Sequence, residues 1–96
     1  MSVRLVVTIT AAPGKGTELA QAMKGRCAEV IKEPGCEQFE VFQSAVTPDK
    51  LTLLELWTTA NDLAVHAKVN ATRAPLPEGL RVGAGEREDY EYNRVR

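Results

Sequence analysis

The sequence predicts an α+β domain of order β-α-β-β-α-β, a four-stranded antiparallel sheet with two helices on one face. Three observations carry that expectation. Residues 3–10 alternate as a strand does, and beyond Pro13-Gly14 the apolar residues change to helical spacing. Two short β-type runs, residues 39–44 and 51–57, are joined by Thr47-Pro48-Asp49-Lys50, a hairpin turn. A second helical stretch follows Trp57 at once, and a run with two tyrosines closes the order.

In the first strand Val3, Leu5, Val7 and Ile9 share one face, and Arg4, Val6, Thr8 and Thr10 the other. From about Thr17, Leu19, Ala20, Met23, Cys27, Val30 and Ile31 form the apolar stripe of an amphipathic helix. Pro34-Gly35 ends it, because proline cannot sit in a helix interior and glycine tolerates the left-handed turn that follows. In the hairpin Pro48 presets φ, and Asp49 is expected to bond its own backbone. Leu51, Leu53, Glu55 and Trp57 then point one way and Thr52, Leu54 and Leu56 the other, so both faces carry apolar residues.

Thr59-Ala60-Asn61-Asp62 fits a capping start for the second helix, on which Leu63, His66, Ala67 and Asn70 share a side. Val65 and Val69 fall off that side and are expected to meet the following loop or another subunit. Residues 72–85 hold Pro75, Pro77, Gly79, Gly83 and Gly85, and within them residues 74–85 suggest a hinged lid. Residues 86–95 form the fourth strand, with Tyr90 and Tyr92 on one face. Two helices cover one face of such a sheet, and the largely apolar second face is expected to pack against a second copy.

Ninety-six residues form one domain, residues 1–96, small enough to bury only about 60 to 65% of its extended surface, which also favours a partner subunit. With 12 Lys and Arg against 13 Asp and Glu there is no basic field for nucleic acid. The apolar start is far too short to span a bilayer and lacks a signal-peptide pattern, so a cytoplasmic protein is expected. The two cysteines, Cys27 and Cys36, are expected to be buried small hydrophobes, a disulfide between them being the alternative. One histidine cannot build a usual zinc site within one subunit, and neither Gly14-Lys15-Gly16 nor Gly83-Ala84-Gly85 has phosphate-loop spacing.

His66 is the one side chain whose ordinary pKa lies near neutrality, so it is the first candidate for proton transfer; a hydrogen-bonded histidine at the core edge is the alternative. Trp57 offers a flat wall for an aromatic substrate, or a core tryptophan. Glu55 shares its face, where burial could raise its pKa and make it a base; pairing with Arg4 or Arg94 is the other use. Asn70 and Arg73 extend the polar set, Arg73 as the holder of an enolate or phenolate or as a solvated loop residue. Tyr90 and Tyr92 carry phenols that orient a substrate oxygen or pack against a partner.

The block from Glu33-Pro34-Gly35-Cys36 through the aromatic-acidic strand Phe39-Glu40-Val41-Phe42, Glu55 two before the strand-end Trp57, and His66 on the next helix resembles the antibiotic biosynthesis monooxygenase family. The resemblance covers nearly the whole chain. It implies a ferredoxin-like subunit that dimerises into a β-barrel, with the number of subunits above two left open, and a ligand pocket between sheet and helices.

It further implies a monooxygenase that oxidises a small aromatic phenol, anthrone or hydroquinone with O2, using no bound metal or flavin. His66 would be the base, Trp57 the aromatic wall, and Asn70 or a Tyr the anion partner. Haem-degrading members pair an Asn on the first strand with a second His; here that strand has Thr8, Ile9 and Thr10, and there is no second His. The second helix also lacks the Trp or Tyr that members acting on antibiotic precursors tend to carry. Two other functions compete: an isomerase of a small keto or phosphorylated metabolite, with Arg73 on the anionic group, and a dimeric module that binds an aromatic ligand unchanged.

Overall fold

In the computed structural model, which describes residues 1–94, the alternation of the first strand, β1 (Val3–Ala11), buries Leu5, Ile9 and Ala11. Helix α1 (Gly16–Val30) adds Leu19, Met23 and Val30, and the hairpin β2 (Cys36–Gln43) and β3 (Lys50–Trp57) adds Phe39, Leu51, Leu53 and Trp57. Helix α2 (Ala60–Asn70) and strand β4 (Arg81–Glu91) complete the chain. The sheet order is β2-β3-β1-β4, all antiparallel. This is the ferredoxin-like topology. No described helix is long and apolar enough to cross a membrane.

Register fixes the faces. Leu5 lies opposite Glu55 and Asp89, and Val7 opposite Leu53 and Arg87, so these side chains share the helix-covered face. Arg4 lies opposite Leu56 and Tyr90, and Val6 opposite Leu54 and Glu88, on the open face. The open face has an apolar centre of Val6, Leu54 and Leu56, with Phe42 beside it, bordered by Arg4, Glu40, Lys50, Glu86 and Glu88. Neither helix packs substantially over β4, which is exposed along its whole length. Val65 and Val69 of α2 are also exposed, as is Ile31, which lies just beyond α1 instead of in its buried stripe.

The region from 72 to 95 departs most from expectation. The fourth strand begins at Arg81 and ends at Glu91; Val95 lies outside the described residues. Gly83 and Gly85 are inside the strand, where the register against β1 shifts between Thr8 and Thr10. Gly85 has φ +84, and a Cβ there would press on the Thr8 carbonyl, so glycine permits a bulge where it was expected to form a hinge. The connection is thereby shortened. Leu80 is buried and accepts from Ala12 N at 2.9 Å, Leu76 packs on the core, and Arg26 donates to the Ala74 carbonyl at 2.5 Å. It is a strap against α1, not a lid over the cleft described below.

Asp49 also differs. Its carboxylate accepts from Gly14 N (2.9 Å) and Gly16 N (3.0 Å), docking the hairpin turn onto the start of α1, whose own N-cap Lys15 makes no side-chain cap. Ser44 Oγ and the Lys50 N to Thr47 O bond hold the turn itself.

Candidate active site

Two chain reversals bring the site together. After α1, Glu33 N donates to Val30 O and Cys36 N to Glu33 O, closing a turn through Gly35 at φ +81. Thr58 N donates back to Gly35 O at 2.8 Å, which fixes this turn beside the start of α2. There Thr59 Oγ1 accepts from Asp62 N and donates to Asp62 Oδ2, a reciprocal cap that sets where α2 begins. Two turns on, His66 is the buried residue of α2. Its ring lies 4.6 Å from the Trp57 ring and 5.7 Å from that of Phe39, centre to centre.

His66 Nδ1 stands 2.9 Å from Glu33 Oε1. The other oxygen, Glu33 Oε2, is 2.7 Å from Arg73 Nη2; the two pair by charge at an angle outside hydrogen-bond alignment. Arg73 Nε lies 3.4 Å from Glu29 Oε2, so a string of alternating charge runs from the histidine to the surface. His66 Nε2 has no protein hydrogen-bond partner among the described residues, and the ring lines a cleft of about 540 Å³.

The cleft lies between α2 and the sheet. Leu5, Glu55 and Arg87 form its floor; His66 and Asn70 face it from the helix, where Ala60, Ala64, Ala67 and Ala71 leave it room. Glu55 is buried at 6% exposure, and Trp57 Nε1 donates to its Oε1 at 2.9 Å. Burial pushes the Glu55 carboxyl above the usual range, against the opposing pull of the indole hydrogen bond and of the His66 and Arg87 charges. Arg87 itself is held in a two-point pair with Asp89, both contacts at 2.7 Å.

Of the residues singled out from the sequence, His66, Glu55 and Asn70 therefore meet in one cleft. Trp57 is fully buried behind His66 and is no wall of the cleft. Arg73 is engaged by Glu33 and Glu29, leaving the cleft mouth without it. Tyr90 lies on the open face, half exposed, and donates to Glu88 at 2.7 Å. Neither expected arginine pairs with the Glu55 carboxylate: Arg4 Nη1 reaches only the Glu55 carbonyl, at 3.3 Å, and Arg94 donates to Tyr92. Glu33 and Arg87 went unselected. Glu33 stands in the Glu-Pro-Gly-Cys lead-in, and a buried histidine's need for an orienting partner is the signal that points to it.

Among the described residues no group of three His, Cys, Asp or Glu is arranged to hold a metal ion. Both cysteines are free and half-buried.

Comparison with known proteins agrees with this architecture. A conserved protein from Methanosarcina mazei superposes with a TM-score of 0.77 at 23% identity, over 97% of this chain and 94% of that one. A Bacteroides thetaiotaomicron protein of unknown function, noted as a possible oxidoreductase, gives 0.75 at 24% identity over 95% and 97%. A provisionally assigned antibiotic biosynthesis monooxygenase from Nitrosomonas europaea gives 0.75 at 20% identity over 93% and 88%. At these identities the likeness is one of fold. No curated protein sequence matches the chain. The family model described as antibiotic biosynthesis monooxygenase matches residues 2–74, the span that holds α1, the hairpin, α2, Glu33, Glu55 and His66, and the chain belongs to that family.

Proposed function

We propose that the protein is a monooxygenase that oxidises a small electron-rich aromatic compound, a phenol, anthrone or hydroquinone, with O2. The observation that carries the reading is His66: buried, tied to Glu33 through Nδ1, and lining an open cleft with Nε2 unpartnered among the described residues. That is the arrangement of a general base waiting for a substrate proton.

In this reading His66 Nε2 takes the proton of the substrate's acidic O–H or benzylic C–H, and the resulting anion is itself the reductant. Its electron pair reduces O2, a C–O bond forms, and the peroxide oxygen is protonated by the imidazolium or by Glu55, whose burial favours the proton-bearing carboxyl. Loss of the second hydrogen on that carbon then breaks the O–O bond. Substrate CH2 becomes C=O, and the second oxygen leaves as water. Arg87 and Asn70 supply charge and amide dipoles for the anion. The isomerase alternative needed Arg73 for an anionic group, and the engagement of Arg73 by two glutamates speaks against it.

We further infer that a second copy covers the open face, which presents Val6, Leu54 and Phe42 around a thin sheet; light scattering on the purified protein tests this, with a monomer at micromolar concentration overturning it.

The activity is tested by oxygen uptake with anthrones and naphthohydroquinones, corrected for spontaneous oxidation. Native protein should accelerate uptake, and His66→Ala should lose about a hundredfold or more of that acceleration. The single tryptophan, packed against His66, reports ligand binding by its fluorescence. Quenching without uptake by the native protein would assign it to ligand binding alone and overturn the oxygenase reading.

A further inference from the structure

We propose that Glu33 is a positioning residue that fixes the tautomer of His66, and that Arg73 anchors Glu33 for this purpose; the role rests on the reading of His66 as the base. A free histidine side chain in water favours its neutral-form proton on Nε2, which would leave a donor, not a base, facing the cleft. An ionised carboxylate can only accept. With Glu33 Oε1 at 2.9 Å from Nδ1, the proton is drawn to Nδ1, and the lone pair is left on Nε2.

The geometry makes this a built device. Glu33 is mostly buried, at 12% side-chain exposure, and is fixed through its own backbone by the turn that ends α1. A buried carboxylate has two oxygens to satisfy. Oε1 takes the histidine, and Oε2 is met by Arg73, itself 15% exposed and reaching back from beyond the C-terminus of α2. Arg73 thus holds the carboxylate by the oxygen the imidazole does not use, and Glu29 in turn steadies Arg73. Trp57 and Phe39 pack against the ring and neither offers Nδ1 a partner; Glu55 lines the same cleft, with its Oε1 engaged by the indole. Glu33 is the one carboxylate bonded to the histidine among the described residues.

The chain's only histidine makes the test direct. Protein labelled with 15N-histidine is examined by NMR on the alkaline side of the imidazole titration, where the two nitrogens of the neutral ring are distinguished by their shifts and by coupling to the ring protons. Native protein should show the proton mainly on Nδ1. Glu33→Gln, whose amide can donate as well as accept, should move a substantial fraction to Nε2, and Arg73→Met should do so to a smaller extent. Turnover of whichever panel substrate the native protein oxidises should fall about tenfold in kcat for Glu33→Gln, with KM held within about twofold, because the base is misdirected and the cleft unaltered.

A native spectrum with the proton on Nε2, or a Glu33→Gln spectrum identical to native, overturns the inference. Should Glu33→Gln fail to fold, the native spectrum and Arg73→Met still decide it. The expected tautomers without oxygen uptake by any form would sink the oxygenase reading and leave the tautomer device standing.

Discussion

Trp57 and Glu55, two residues apart on β3 and both buried, are joined by an indole N–H to Oε1 bond of 2.9 Å. Alternation along a strand puts positions i and i+2 on one face, so the bond follows from the local sequence once that face is covered. The tryptophan gains the partner a buried N–H needs. The glutamate is held at the floor of the cleft, with one oxygen committed and the carboxyl deprived of much of its water.

That burial has a measurable sign. The folded-state pKa of Glu55 lies above its unfolded value, chiefly through desolvation. The folded chain therefore keeps this proton to higher pH than the unfolded chain, and the associated stability is full below the ordinary glutamate range and lost as pH rises through the raised value. Urea midpoints measured from acid to neutral pH should drop more steeply for native protein than for Glu55→Gln, whose amide oxygen still accepts from Trp57 and does not titrate. Parallel curves for the two proteins would contradict the assignment.

The parts of this molecule that rest on short-range pattern were legible in the chain. Val3 to Ile9 announced β1, and the spacing of Leu63, His66, Ala67 and Asn70 announced the helix face that does line the cleft. What escaped depends on contacts between distant segments. Glu33 meets His66 across 33 positions, and the Cys36–Trp57 strand pairing with the Thr58 to Gly35 bonds explains why those segments adjoin. Tyr90 is legible as a strand residue, yet which face it occupies is set by pairing with Arg4. Strand β4 is built mostly of charged and small residues, so no hydrophobic alternation revealed that Arg87 faces the cleft or that Gly83 and Gly85 lie within the strand.

Cys36 should be a slow thiol. Burial, then the charges of Glu55 and Glu33, push its pKa up to about 11, with a Gln38 backbone hydrogen bond acting the other way. Cys27 is raised as well, mainly by burial. Thiolate is the reactive form, so alkylation by iodoacetamide at pH 8 should run roughly tenfold or more slower in the folded protein than in urea. Equal rates in the two conditions would show that neither thiol is shielded.

The docking of the hairpin on α1 rests on Asp49, which receives two amides from the Gly14–Gly16 segment. It performs from a distance the duty that an N-cap side chain performs locally. Asp49→Ala should cost about 1 kcal/mol in urea denaturation, as loss of an N-cap does, and Asp49→Asn, which retains an acceptor oxygen, should cost less. Equal losses for the two variants would show that charge, and not the capping geometry, sustains the contact.

Gly35 is where the fold and the proposed base depend on the same atom. Its φ of +81 lies in the left-handed region, and a Cβ there would collide with the Asp62 side chain. Asp62 has little freedom to retreat, since it is bonded reciprocally to Thr59 at the start of α2. Gly35→Ala must therefore either distort the turn that carries Glu33 or break the cap that sets the register of His66. The expected cost is about 1 to 3 kcal/mol of stability, the sum of backbone strain and a lost cap. Asp62→Gly removes the whole side chain, Cβ included, and so relieves the clash while sacrificing the cap, so the double variant should be less destabilised than the two single losses added together. Chemical denaturation of the four proteins reads this directly, and strict additivity would mean that the Gly35 turn and the α2 cap do not press on one another.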